Sequence, residues 1–136
     1  MAELQAILET ALYGDDLDAA EAFYSGVLRL ETISRLGNRH IFFRVGQGVL
    51  LVFNPAETIK PASSPRLPVP PHGATGPGHA CFRIEVGDFD EWTSRLQAAG
   101  VPIEADFTWP NGGRSIYFRD PAGNSLECAE ARIWGL

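Results

Sequence analysis

Arg39-His40-Ile41-Phe42-Phe43-Arg44 and Arg114-Ser115-Ile116-Tyr117-Phe118-Arg119 write one pattern twice, at a constant offset of 75 residues that also carries Gly48 onto Gly123. Such a repeat outranks local propensity, because each copy has to be one supersecondary unit. Upstream, Asp16-Leu17-Asp18 falls on Asp88-Phe89-Asp90 at an offset of 72, so the two copies differ only by small insertions.

Each copy reads as a strand, a helix and three more strands. Ile7 to Tyr13 is β-prone, and Asp16 then offers an N-cap oxygen to a helix beginning at Leu17. Leu17, Ala20, Tyr24, Val27 and Leu28 follow at spacings of three and four, which places them on one face that packs on a sheet. In the second copy Asp88 takes the capping position, Phe89, Trp92, Leu96 and Ala99 repeat the spacing, and Gly100 ends the helix. The strands expected next are Glu31 to Leu36, His40 to Val45 and Val49 to Asn54, then Pro102 to Thr108, Arg114 to Phe118 and Ser125 to Glu130. Gly46-Gln47-Gly48 and Asp120-Pro121-Ala122-Gly123-Asn124 supply the hairpin turns. The order βαβββ, twice, predicts an α+β fold in a single domain spanning residues 1–136. Module one covers about residues 6–55 and module two about 78–131, joined by a Pro-, Gly- and Ser-rich loop at 56–77.

Composition narrows the function. The 136 residues amount to one domain, with 45% hydrophobic and 21% charged side chains. A net charge of −6 opposes nucleic acid or anionic lipid as the main partner. The longest aliphatic run, Val49 to Phe53, is far too short to span a bilayer, and Met1 to Ile7 has no basic flank. Two cysteines, Cys81 and Cys128, both in apolar alternating runs, read as reduced core residues, so the expected location is the cytoplasm.

Three stretches carry a resemblance: Glu9-Thr10-Ala11-Leu12-Tyr13-Gly14-Asp15-Asp16-Leu17 with Phe23-Tyr24, then Gly76-Pro77-Gly78-His79, then Phe118-Arg119-Asp120-Pro121-Ala122-Gly123-Asn124-Ser125-Leu126-Glu127. Together they resemble the vicinal oxygen chelate superfamily, which includes glyoxalase I, methylmalonyl-CoA epimerase, extradiol dioxygenases and the fosfomycin- and bleomycin-resistance proteins. The resemblance implies two βαβββ modules curled around a cleft, a homodimer and, in many members, a divalent metal. Its ligands come from the first and last strand of each module. Carried over by position, those residues are Glu9, His79 and Glu127, while the fourth place falls on Leu51 or Val52, neither of which can bind a metal.

Coordination chemistry allows the same set. Two carboxylates and one imidazole leave a position open for water or substrate, and they suit Mn²⁺, Zn²⁺, Ni²⁺ or Fe²⁺ alike. A small substrate with vicinal oxygens would chelate that cation, with Glu9 or Glu127 as general base. Lyase, isomerase and dioxygenase chemistry all fit. The other reading is a metal-free protein that sequesters a small molecule, which the apolar fourth place and the acidic balance favour. Phe53, Trp109 and Tyr117 are candidate substrate contacts. His72 is another, set against the plainer reading of a solvated loop histidine. Arg44 and Arg119, at the ends of equivalent strands, are read as partners of nearby acids. His40 carries no argument for chemistry.

Overall fold

Ile41 and Phe43 in one copy of the repeat, and Ile116 and Phe118 in the other, are sealed from solvent. They sit on the strand face that the helix of each copy covers, and truncating either phenylalanine to alanine would cost about 3–5 kcal/mol. The computed structural model describes residues 1–136 and resolves them into two compact units, Met1–Thr75 and Gly76–Leu136.

The first unit holds β1 (Glu9–Tyr13), α1 (Leu17–Glu21), β2 (Glu31–Leu36), β3 (His40–Val45), β4 (Gly48–Phe53) and α2 (Pro55–Thr58). Its sheet runs β1-β4-β3-β2, with β1 parallel to β4 and the other pairs antiparallel. The second unit holds β5 (His79–Arg83), α3 (Phe89–Ala98), β6 (Ala105–Thr108), β7 (Arg114–Arg119) and β8 (Ser125–Ala129). Its order is β5-β8-β7-β6, with β5 parallel to β8. The βαβββ order read from the repeat is present in both units, and the fold is α+β.

Local departures have local causes. Asp16 does cap α1, its carboxylate accepting from the Ala19 N–H at 3.0 Å. The helix then widens into a π-helical stretch at Ala22–Val27, where the Leu28 N–H reaches the Phe23 carbonyl five residues back. Adjacent Phe23 and Tyr24 are both buried in this stretch. Asp88 was expected to cap α3, but its side chain makes no capping bond. A 3₁₀ turn at Val86–Asp88 leads into the helix instead. Gly100 ends that helix at φ 74°, where a β-carbon would be strained. The strand expected from Pro102 begins only at Ala105, since proline has no N–H for the ladder. The expected 56–77 loop opens with α2, capped by Asn54, whose side-chain oxygen accepts from the Ala56 N–H at 3.1 Å. Up to Thr75 this segment belongs to the first unit.

Register settles the equivalence between the halves. Glu9 lies opposite Val49 and Ala11 opposite Leu51, while His79 lies opposite Ser125 and Cys81 opposite Glu127. Glu9 therefore corresponds to His79, and Glu127 to Leu51 and not to Val52.

Candidate functional site

In the second unit the Asp120-Pro121-Ala122-Gly123-Asn124 turn does more than reverse the chain. Asn124 is buried, and its N–H and side-chain amide both donate to Asp120, at 2.8 and 2.9 Å. Its side-chain oxygen accepts from the Gly78 N–H at 2.7 Å, which fixes the residue just before His79. The Ser125 carbonyl then lies 2.9 Å from His79 Nδ1. A carbonyl can only accept, so Nδ1 carries a hydrogen, and Nε2 is the ring nitrogen left to face outward from that bond.

That Nε2 stands 3.4 Å from Glu127 Oε1. Glu127 is buried, and its other oxygen, Oε2, accepts from the Ser115 hydroxyl at 2.5 Å. Ser115 in turn accepts from the Trp109 indole N–H at 2.8 Å. One carboxylate oxygen is thus locked from behind, and the other faces the imidazole Nε2. Two ligands about 2.1 Å from one cation at a tetrahedral angle stand about 3.4 Å apart, and a backbone carbonyl on the far ring nitrogen is the usual orienting partner of a ligating histidine. His79 and Glu127 fit a divalent cation. Neither unit by itself gathers three His, Cys, Asp or Glu side chains for one.

Cys81 and Tyr117 lie opposite Glu127 on either side. Cys81 was expected in the core, but it is open to solvent, because the face of β5 that carries it is not the face the helix covers. Desolvation by the groups packed around it, then the Glu127 charge, pushes its thiol up to about 12. The same two causes, in the same order, raise the Tyr117 phenol. Tyr117 lies parallel to Phe107 with centroids 5.8 Å apart, and Phe107 meets Trp109 edge-on at 4.8 Å. Trp109 and Tyr117, expected as substrate contacts, flank the His79–Glu127 pair.

The first unit carries a recess of about 450 Å³ lined by Glu9, Phe42, Leu51, Phe53, His72 and Arg39, among others. Leu51 occupies the place that Glu127 holds in the other unit and presents only carbon. Phe53 is buried at its floor. His72 is not a free loop residue: Tyr13 Oη lies 2.7 Å from its Nδ1, its ring meets Phe53 at 4.6 Å, and its backbone N–H donates to the Thr58 carbonyl at 3.0 Å. Gly73 follows because a β-carbon there would press on the Pro55 carbonyl. Arg44 and Arg119 pair with Glu31 and Glu104, at 3.1 and 2.8 Å, as read from their surroundings.

The sequence assigns no role to Ser115, Asn124 or Arg39 and none to His40, which it sets aside. The available signal was polarity in the repeat: His40 and Ser115 are matched polar residues at strand positions that alternate with buried Ile and Phe.

The chain belongs to the Glyoxalase/Bleomycin resistance protein/Dioxygenase superfamily, whose model matches residues 6–128. Among solved structures it is similar to the crystal structure of a lactoylglutathione lyase from Agrobacterium tumefaciens, at 47% identity and a TM-score of 0.92, over 99% of this chain and 100% of that one. The fold also matches the fosfomycin resistance protein FosX from Listeria monocytogenes, at 22% identity and a TM-score of 0.68, over 95% of each chain. A glyoxalase/bleomycin resistance protein/dioxygenase from Nocardioides matches at 21% identity and a TM-score of 0.72, over 96% of this chain and 85% of that one.

Proposed function

We propose that this protein is a divalent-metal-dependent lyase of the lactoylglutathione lyase type, acting on a small substrate with oxygens on adjacent carbons. The observation that carries it is the pair His79 Nε2 and Glu127 Oε1, each held by a backbone or buried hydroxyl partner and spaced as two ligands of one cation. The 47% identity to a lactoylglutathione lyase supports the reaction class.

A 2-hydroxy thioester and the hemithioacetal of a 2-oxoaldehyde differ only in where one carbon-bound and one oxygen-bound proton sit, so no redox partner is needed. A bound cation would supply a Lewis acid for the two oxygens. The protein has to hold that cation and move the proton between neighbouring carbons. Glu127 suits this role because Ser115 fixes one oxygen while the other stays available. Glu9 is the other proposed ligand and base, on the strength of its place in the repeat. The substrate contacts proposed are Trp109 and Tyr117 in the second unit and Phe53 and His72 in the first. We further propose a homodimer, to be checked by light scattering. No helix is long and apolar enough to cross a membrane.

The test is calorimetric titration of Mn²⁺, Zn²⁺, Ni²⁺ and Fe²⁺ into wild type, His79→Ala and Glu9→Gln, alongside turnover of lactoylglutathione. The reading requires stoichiometric binding by wild type, loss in His79→Ala, weakening in Glu9→Gln, and metal-dependent turnover. Leu51, carbon where the other half has a carboxylate, favours a second reading: a metal-free protein that sequesters a small molecule. Wild type that takes up no cation would leave that reading standing and remove the first.

A further inference from the structure

Arg39 is the half-buried arginine that the fold leaves without an acid. Arg35, Arg44, Arg83, Arg95, Arg114, Arg119 and Arg132 all reach a carboxylate, and Arg29 and Arg66 are exposed. The repeat shows how this came about. Arg114, which matches Arg39, is clamped by both oxygens of Asp106, at 2.9 and 2.8 Å, and Asp106 sits opposite Ile116 in the sheet. In the first copy the residue opposite the matching Ile41 is Arg35, so the sign is reversed and no acid is supplied.

What surrounds Arg39 instead is a built recess. Its Nη1 donates to His40 Nδ1 at 2.7 Å, and its guanidinium lies 5.8 Å from the Phe53 ring centroid. His40 is itself stacked on Phe42 with centroids 4.1 Å apart and planes within 5°. Burial, then the Arg39 charge, holds His40 below the usual imidazole range, so it stays neutral at pH 7 as an acceptor must. One guanidinium N–H is therefore committed and the remaining donors are not. Arg39 borders the recess of about 450 Å³, whose floor is Phe42, Leu51 and Phe53. Glu9 borders it too, at the opposite end. Glu9 pairs with Val49, while the Arg39 carbonyl accepts from Asn54 N–H, which puts about 16 Å of strand between the two ends.

We propose that this recess is an anion-binding subsite in which Arg39 takes the carboxylate of a small ligand whose flat, unsaturated part lies against Phe42 and Phe53. Arginine presents a planar fork of donors that a carboxylate matches with two parallel bonds, and the aromatic floor strengthens both the fork's field and the stacking. Glu9 sets the polarity: a ligand with one anionic end fits, and a second anion at the far end is repelled. The subsite lies wholly within the first unit; it shares Glu9, Phe53 and His72 with the site of the proposed function and deepens that reading.

The experiment is titration calorimetry in EDTA with trans-cinnamate and its neutral isostere cinnamamide, on wild type, Arg39→Gln, Arg39→Lys, Arg44→Gln and His79→Ala. Cinnamate is expected to bind wild type one to one, and cinnamamide at least about tenfold more weakly, the value of one charge-assisted bond. Arg39→Gln should lose at least about tenfold for cinnamate and nothing for cinnamamide, with Arg39→Lys between. Arg44→Gln and His79→Ala should bind cinnamate as wild type does, which separates this result from any failure of the metal site. No cinnamate binding by wild type, equal affinity for acid and amide, or undiminished binding by a natively folded Arg39→Gln would each overturn the proposal. If Arg39→Gln does not fold, the acid–amide comparison and Arg39→Lys decide.

Discussion

Replacing Ser115 with alanine removes one oxygen atom and should be felt in both stability and metal affinity. The hydroxyl is sealed from solvent, donates to the buried Glu127 carboxylate at 2.5 Å and accepts the Trp109 N–H at 2.8 Å. A hydrogen bond to a charged group contributes about 1.5–3 kcal/mol net, and a buried carboxylate that loses it has no water to turn to. Trp109 is 37% exposed, so its N–H can find water and adds little to the loss. The sum is about 2 kcal/mol. At about 3–5 °C per kcal/mol for a chain of this size, the melting temperature should fall by about 6–10 °C. Scanning calorimetry at pH 7 in EDTA measures this without metal linkage. Trp109→Phe, which removes the N–H along with part of the ring, should cost about 0.5–1 kcal/mol, and the two changes should be less than additive because they share one oxygen. Because Ser115 orients the carboxylate, Ser115→Ala should also weaken divalent-metal affinity by about 10- to 100-fold. A melt within about 1 °C of wild type together with undiminished metal affinity would refute the relay from Trp109 to Glu127.

Other consequences are open to measurement. With its thiol pushed up to about 12, Cys81 should react with iodoacetamide at pH 8 at least about tenfold more slowly than an unstructured cysteine despite its exposure, and Glu127→Gln should speed it; an ordinary rate in wild type would contradict the desolvation. Arg114 and Arg119 hold the Asp106 and Glu104 carboxyls below their usual range. Their contribution is therefore present above the unfolded carboxylate range and fades as pH falls through the lowered folded values. Chemical denaturation of Arg114→Gln should show less acid sensitivity below about pH 4 than wild type, in proportion to a partly screened pair. Gly113→Ala drives a β-carbon into the Ile133 side chain and within 3.2 Å of its backbone nitrogen. It should cost about 1–3 kcal/mol in urea, with activity otherwise intact once folded.

The division between sequence and tertiary structure follows from range. The chain by itself determined the repeated βαβββ plan, because strand and helix periods, the Asp16 cap and the Gly100 stop act over a few residues and recur at a near-constant offset. It also singled out His79 and Glu127, through a resemblance whose motifs lie at those residues. It could not show that Asn124 grips Gly78 across 46 residues of chain, that Ser115 stands behind Glu127, or that Cys81 faces water. Those depend on strand register and on which sheet face the helix covers, where a shift of one residue exchanges inside for outside. The same holds for Arg39, an ordinary arginine in the sequence. Only the register of β2 on β3 places Arg35 where its counterpart Arg114 has Asp106, and so leaves a guanidinium in an aromatic recess with its charge unanswered.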